Sequence, residues 1–172
     1  PNPGQLYAFH EDDPRPEFLK KAMDGIYDRK CGMLRQMIDE NADDEELVRA
    51  YEAKFAREAS GGKVQRDPVF LGGIKSEFAE IITALNAKLE ASDGPWIFGG
   101  DFTLADAVWG VNLFRIHWLG HAYLWDHMPR VRDYAYRAYR RPSIWEAAIT
   151  WPAPTPPSPH TEDVLAMGPI GS

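Results

Sequence analysis

Apolar residues recur along this chain at spacings of three and four, and no run of them alternates. That is the period of helices with one buried face. The clearest case is Ile74, Phe78, Ile81, Ile82, Leu85 and Leu89, stopped by Asp93-Gly94-Pro95. Before it, Phe18, Leu19, Ala22, Met23, Ile26, Met33 and Met37 mark a helix from Glu17 to about Glu40. Gly25 and Gly32 weaken that helix and invite a close approach by a neighbour. Leu47, Val48, Tyr51 and Phe55 mark another helix from Asp44 to Ala59, which Ser60-Gly61-Gly62 should stop. Residues 63–73, with Pro68 and Gly72-Gly73, read as a loop. Pro129 opens a helix to about Tyr139, and a last short one runs from Ile144 to Thr150.

The stretch Thr103 to Gly120 is different. Leu104, Val108, Val111, Phe114, Trp118 and Leu119 fall on one side, while Ala105, Trp109, Leu113 and Ile116 cover much of the other. A helix apolar nearly all round is surrounded by protein. It is shorter than the roughly 20 apolar residues of a membrane span, and Asp106, Asn112, Arg115 and His117 interrupt it. Thr103 followed three residues later by Asp106 makes a capping box with Asp in place of Glu or Gln, and Phe102 stands where a hydrophobic staple to Ala107 or Val108 begins. The sequence therefore predicts an all-α bundle of about six or seven helices around this segment. Residues 1–16 have linker composition, 17–150 form the helical domain, and 151–172 form a Pro-rich tail. Five Pro in the nine residues from Trp151 to Pro159 predict an extended surface path, and Gly168–Ser172 is set aside from the fold.

Composition sharpens the function classes. The 172 residues suit one domain, and a net charge of −7 argues against nucleic acid or an anionic membrane as partner. The single cysteine, Cys31, rules out an intramolecular disulfide and suits a reducing, cytoplasmic setting. It reads as a small core residue, since no His stands at a readable partner spacing. The N-terminus has no basic region followed by an apolar one, so no secretory signal is legible. His117 and His121 are four apart, but the Glu of a zinc-binding H-E-x-x-H is missing; they read as core or rim histidines, and no metal is expected. His10 beside Glu11-Asp12-Asp13 reads as part of a solvated acidic run. Arg130, Arg137 and Arg141 align with Tyr134 on one face, either as an anion patch or as partners for carboxylates.

One order of motifs carries a resemblance. An amphipathic helix is followed by Gly94-Pro95-Trp96-Ile97-Phe98-Gly99-Gly100, then by Thr103-Leu104-Ala105-Asp106 opening the buried helix. Next come the helix started by Pro129 and the segment Arg141-Pro142-Ser143. This resembles the C-terminal helical domain of the cytosolic glutathione transferases, closely over residues 74–150 and by helix order alone over 6–60. The resemblance implies that glutathione is the co-substrate, held mainly by an N-terminal thioredoxin-like domain. No β-α-β pattern is readable here, and the chain opens on Pro1. The expectation is therefore the helical half alone, with no catalytic residue in this chain and no turnover on its own. It also implies a hydrophobic small-molecule substrate, a homodimer and a cytoplasmic protein. Met23, Tyr27, Lys30 and Leu34 on the first helix, with Trp118, Tyr123 and Trp125 after the central one, become substrate-pocket candidates; the alternative is that they are plain core. Thr103 and Asp106 are expected to be structural. Bacterial reductive dehalogenases and β-etherases are similar long members. The same fold also serves as a non-catalytic docking module, and a binding protein for apolar ligands is the third alternative.

Overall fold

The computed structural model describes Leu6 and residues 25–64, 67–150 and 158–170. The predicted linker (Leu6 excepted), the start of the first helix at Glu17, Met23 and residues 151–157 of the tail lie outside the described residues. Those described are all-helical, with seven α-helices and no strand. They form two compact units, Arg15–Leu71 and a second made of Pro1–Pro14 with Gly72–Ser172.

The first unit is a helical hairpin. Helix α1 (Ile26–Glu40) ends at Asn41, whose Nδ2 donates to the Met37 carbonyl at 2.7 Å. Asp44 then caps α2 (Glu45–Val64), its Oδ1 accepting from the Glu46 and Leu47 N–H groups at 3.1 and 3.0 Å. Helix α2 does not stop at Ser60-Gly61-Gly62. A helical Gly costs only about 1 kcal/mol, and at Gly61 the missing side chain leaves room for a ring: a Cβ there would lie 3.2 Å from Tyr27 Cε1. Gly32, expected to admit a neighbour, faces open space. The expected loop over 63–73 is also mostly helix. Asp67 Oδ1 accepts the Val69 N–H at 2.8 Å, and Pro68 fits the first turn of α3 (Pro68–Glu90). Gly72-Gly73 lies inside that helix.

In the second unit, α3 buries Ile74, Phe78, Ile82, Leu85 and Leu89, the face its period predicts. A tight turn follows, in which Trp96 N donates to the Gly99 carbonyl at 3.0 Å and Gly99 N to that of Trp96 at 3.2 Å. Gly94 is required here, because a Cβ on it would collide with the Gly99 carbonyl. Helix α4 (Leu104–Trp118) packs against α5 (Pro129–Tyr139), α6 (Pro142–Ile144), the 3-10 turn Ala122–Leu124 and a second one at Pro159–Thr161. Its crossing with α5 uses small residues: a Cβ on Gly110 would lie 3.1 Å from the Ala138 Cβ. After α6 a π-helical turn, Trp145–Ile149, ends where Thr150 N and Oγ1 both donate to the Trp145 carbonyl.

One expectation about this unit fails. Helix α4 is not buried all round: Leu104 is 80% and Val108 53% exposed, while Asp106 and Gly110, on the opposite side of the first two turns, are buried. Of the extended path expected for Trp151–Pro159, residues 151–157 lie outside the described residues; those that follow are packed. Ser158, Thr161 and Val164 are buried, α7 (Glu162–Met167) is a regular helix, and Ile170 N donates to the Arg140 carbonyl at 2.7 Å. Gly168, set aside from the fold, accepts from Arg140 Nε at 3.1 Å.

Candidate functional site

The best-defined polar centre is the Asp106 carboxylate, with no exposed surface. Oδ2 accepts the Thr103 N–H and the Thr103 hydroxyl, each at 2.7 Å, closing the capping box. Oδ1 accepts the Ile97 N–H at 3.0 Å and the Tyr134 hydroxyl at 3.2 Å. Burial alone pushes this carboxyl up. The donors from Ile97, Thr103 and Tyr134 outweigh that and hold it below its ordinary value of 3.8. A charged carboxylate with four donors and no open coordination position cannot take a proton from a substrate. It joins the Trp96–Gly99 turn, the start of α4 and the middle of α5.

Beside it, the expected arginine face resolves into aromatic contacts. Phe102 does lie at the helix entry, edge-on to Trp96 at 4.9 Å, with the Arg141 guanidinium 3.8 Å from its ring centre. Arg137 lies over Trp96 at 5.9 Å and donates to the Pro95 carbonyl at 3.0 Å. These two cations therefore serve the turn between α3 and α4.

The substrate candidates fall in both units. In the hairpin, Tyr27 packs on Gly61 and carries the Lys30 ammonium 5.5 Å from its ring centre, and Lys30 also pairs with Glu58 at 3.2 Å. Leu34 is buried. In the second unit Trp118 and Trp125 are buried, whereas Tyr123 is 51% exposed, with its hydroxyl 3.4 Å from Nδ1 of the buried His121. Partial burial raises the Tyr123 phenol above its ordinary value. It is thus a neutral hydroxyl at the surface of the unit, able to donate to a ligand oxygen. Cys31 is partly exposed rather than core.

The sequence missed a second polar cluster. His117 is buried between the rings of Trp125, Tyr136 and Tyr139, at 6.2, 5.9 and 6.0 Å between ring centres. Ser158 donates to the Trp118 carbonyl at 2.6 Å, and the Tyr136 hydroxyl bonds Asp163. Ser158 and Asp163 come from the Pro-rich tail, where no spacing of apolar residues marked them. Among the described residues no three His, Cys, Asp or Glu side chains group so as to hold a metal, and no helix is long and apolar enough to cross a membrane.

A helical domain whose central helix opens on a buried Thr-x-x-Asp box, tied to the preceding turn and the following Pro-started helix, defines the class. A model of the glutathione S-transferase C-terminal domain matches residues 40–141, more than half of the sequence, and the chain belongs to that family. It is also 38% identical over 171 residues to the 2,5-dichlorohydroquinone reductive dechlorinases of two Sphingobium indicum strains. The alignment takes in 96% of this chain and 49% of each relative, so the chain spans about half the length of the curated relatives it matches. No solved structure matches.

Proposed function

We propose that this chain is the electrophile-facing half of a glutathione-dependent enzyme that removes halide reductively from a small halogenated aromatic of the hydroquinone type. The observation that carries the reading is the identity to the dechlorinases across nearly the whole chain, joined to membership of the transferase family. Replacing C–Cl by C–H takes two electrons. Two glutathione thiols supply them by closing one disulfide: ArCl and two GSH give ArH, GSSG and HCl. The thiol would be bound and activated by a thioredoxin-like domain, and the helical half would hold the ring against it, so that catalysis rests on thiolate activation and proximity. Tyr123, in the second unit, is the candidate to meet the substrate, as hydrogen-bond donor to a ring hydroxyl. Trp118 and Trp125, buried in the same unit, would support it from that unit's core. A homodimer in a glutathione-rich cytoplasm completes the reading.

The test is chloride release from 2,5-dichlorohydroquinone with glutathione, using the protein together with a thioredoxin-like half. One chloride and one GSSG per turnover are expected, and none from residues 1–172 alone. Thiol consumption without disulfide would instead make the protein a conjugating transferase. A second reading, a docking module, is favoured by the exposure of Phe98, Leu104 and Val108. It would be supported if neither chloride nor thiol were consumed with any halogenated aromatic.

A further inference from the structure

The segment Ser158–Ile170 lies across one end of the second unit, and what it covers is an imidazole. The Ser158 hydroxyl holds its start to the Trp118 carbonyl, and Tyr136 bonds Asp163 in its middle. Arg140 holds its end twice, Nε on the Gly168 carbonyl and its own carbonyl on the Ile170 N–H. Beneath these ties sits His117. One ring nitrogen is engaged with the backbone of His160, while Nδ1 is buried with no hydrogen-bond partner among the described residues. His160 itself is fixed against Gly120, where a Cβ would lie 2.7 Å from its Nε2. A neutral imidazole tolerates this, because an unshared lone pair among aromatic rings is a modest loss. A proton on Nδ1 would instead bury a charged N–H with nothing to accept it.

We propose that Ser158–Ile170 is an acid-released strap whose hold on the end of α4 is set by the protonation of His117. The charged and titratable groups facing His117 are Asp126 from the turn before α5, Tyr136 and Tyr139 from α5, and His160 and Asp163 from the strap. Burial lowers the imidazole below its ordinary 6.5, and His160 adds to this. Asp163, Asp126 and the His160 backbone oppose without prevailing. The sign follows. With the strap open, the ring meets water and titrates near 6.5, whereas closed it titrates lower. Closure is therefore at full strength above 6.5 and weakens as pH falls below it, by up to about tenfold in the open-to-closed ratio per pH unit. Release would uncover His117 and the carbonyl end of α4.

Hydrogen exchange of the α7 amides in the full chain, corrected for intrinsic rate, tests this. Opening should rise several-fold, up to about tenfold, from pH 7 to pH 5.5. In His117→Gln the rise should vanish. In Tyr136→Phe opening should increase at both pH values with the rise retained. Nuclear magnetic resonance titration of the unmodified protein should place His117 below 6.5, and it decides even where His117→Gln does not fold. An imidazole titrating at or above 6.5, an α7 indifferent to pH, or a rise that survives His117→Gln would each overturn the strap.

Discussion

In the α1–α2 hairpin the polar contacts sit at the surface: Lys30 pairs with Glu58 where both side chains meet water, and Arg35 lies 4.9 Å over the Phe55 ring. In the unit beginning at Gly72, the corresponding anchor is a carboxylate with no exposed surface and four donors. The chemistry is similar and the consequences differ. A surface ion pair is screened by solvent and each partner can find water when the other is removed. Asp106 has no such recourse, and neither do its donors. The hairpin's polar contacts can thus be lost one at a time, whereas the bundle's central one cannot be lost in part.

Asp106→Ala should separate the two regions most strongly. It strands the Ile97 N–H, the Thr103 N–H and the Tyr134 hydroxyl, and a loss of roughly 3–5 kcal/mol is expected, the usual cost of removing one partner from a buried charged group. Denaturant unfolding would read it, and protection of α4 and α5 amides should fall while the α1–α2 hairpin keeps its own. A uniform loss across both regions would dissolve the contrast.

Gly94→Ala comes next. The new Cβ meets backbone rather than a movable side chain, so the turn must shift. About 1–3 kcal/mol is expected, the usual cost of forcing atoms into a packed place. A thermal midpoint within a degree of the parent's would show that the turn yields freely at Gly94.

The acid limb of stability sharpens the same contrast. Asp106 is depressed below 3.8, so its contribution is complete above about pH 4 and is lost as pH falls through its native value. Asp106→Asn should lower stability at neutral pH and flatten the curve below pH 4. A limb as steep as the parent's would mean that other carboxyls carry it. The smallest effect belongs to the hairpin: Lys30→Met should cost less than about 1 kcal/mol, and a larger loss in a denaturant titration would place the hairpin beside the bundle.

How much of this the sequence showed depends on whether a feature was local. The Thr103–Asp106 box, the buried face of α3 and the helix opened by Pro129 are short-range patterns, and they were legible. The rotation of α4 was not. Its residues are apolar on nearly every side, so periodicity leaves the inward face undecided. Asp106 decides it by turning toward Ile97 and Tyr134, which sends Leu104 and Val108 outward. Gly61 misled for a related reason: the space that keeps it helical is defined by Tyr27, 34 residues earlier in the chain. At Asp67-Pro68 the signal was present, a cap followed by a first-turn Pro, but Gly72-Gly73 concealed the helix behind it. The strap was hidden by its approach. The prolines before Ser158 read as the end of order, and the contacts of Ser158, Asp163 and Gly168 all reach back to α4 and α5. Of the pocket candidates, the sequence marked aromatic and aliphatic residues without distinguishing Tyr123, which stands at the surface, from Trp125 and Leu34, which do not.

The Asp106 bonds also form a timetable. Its partners Ile97 and Thr103 leave the ribosome before it does, but Tyr134 is made 28 residues later. Until then the carboxylate has a local cap and one donor missing, and α4 has no α5 to lie on. The last of the four donors to Asp106 is therefore supplied well after the central helix itself, and a pause in synthesis before Tyr134 would leave that carboxylate waiting for it.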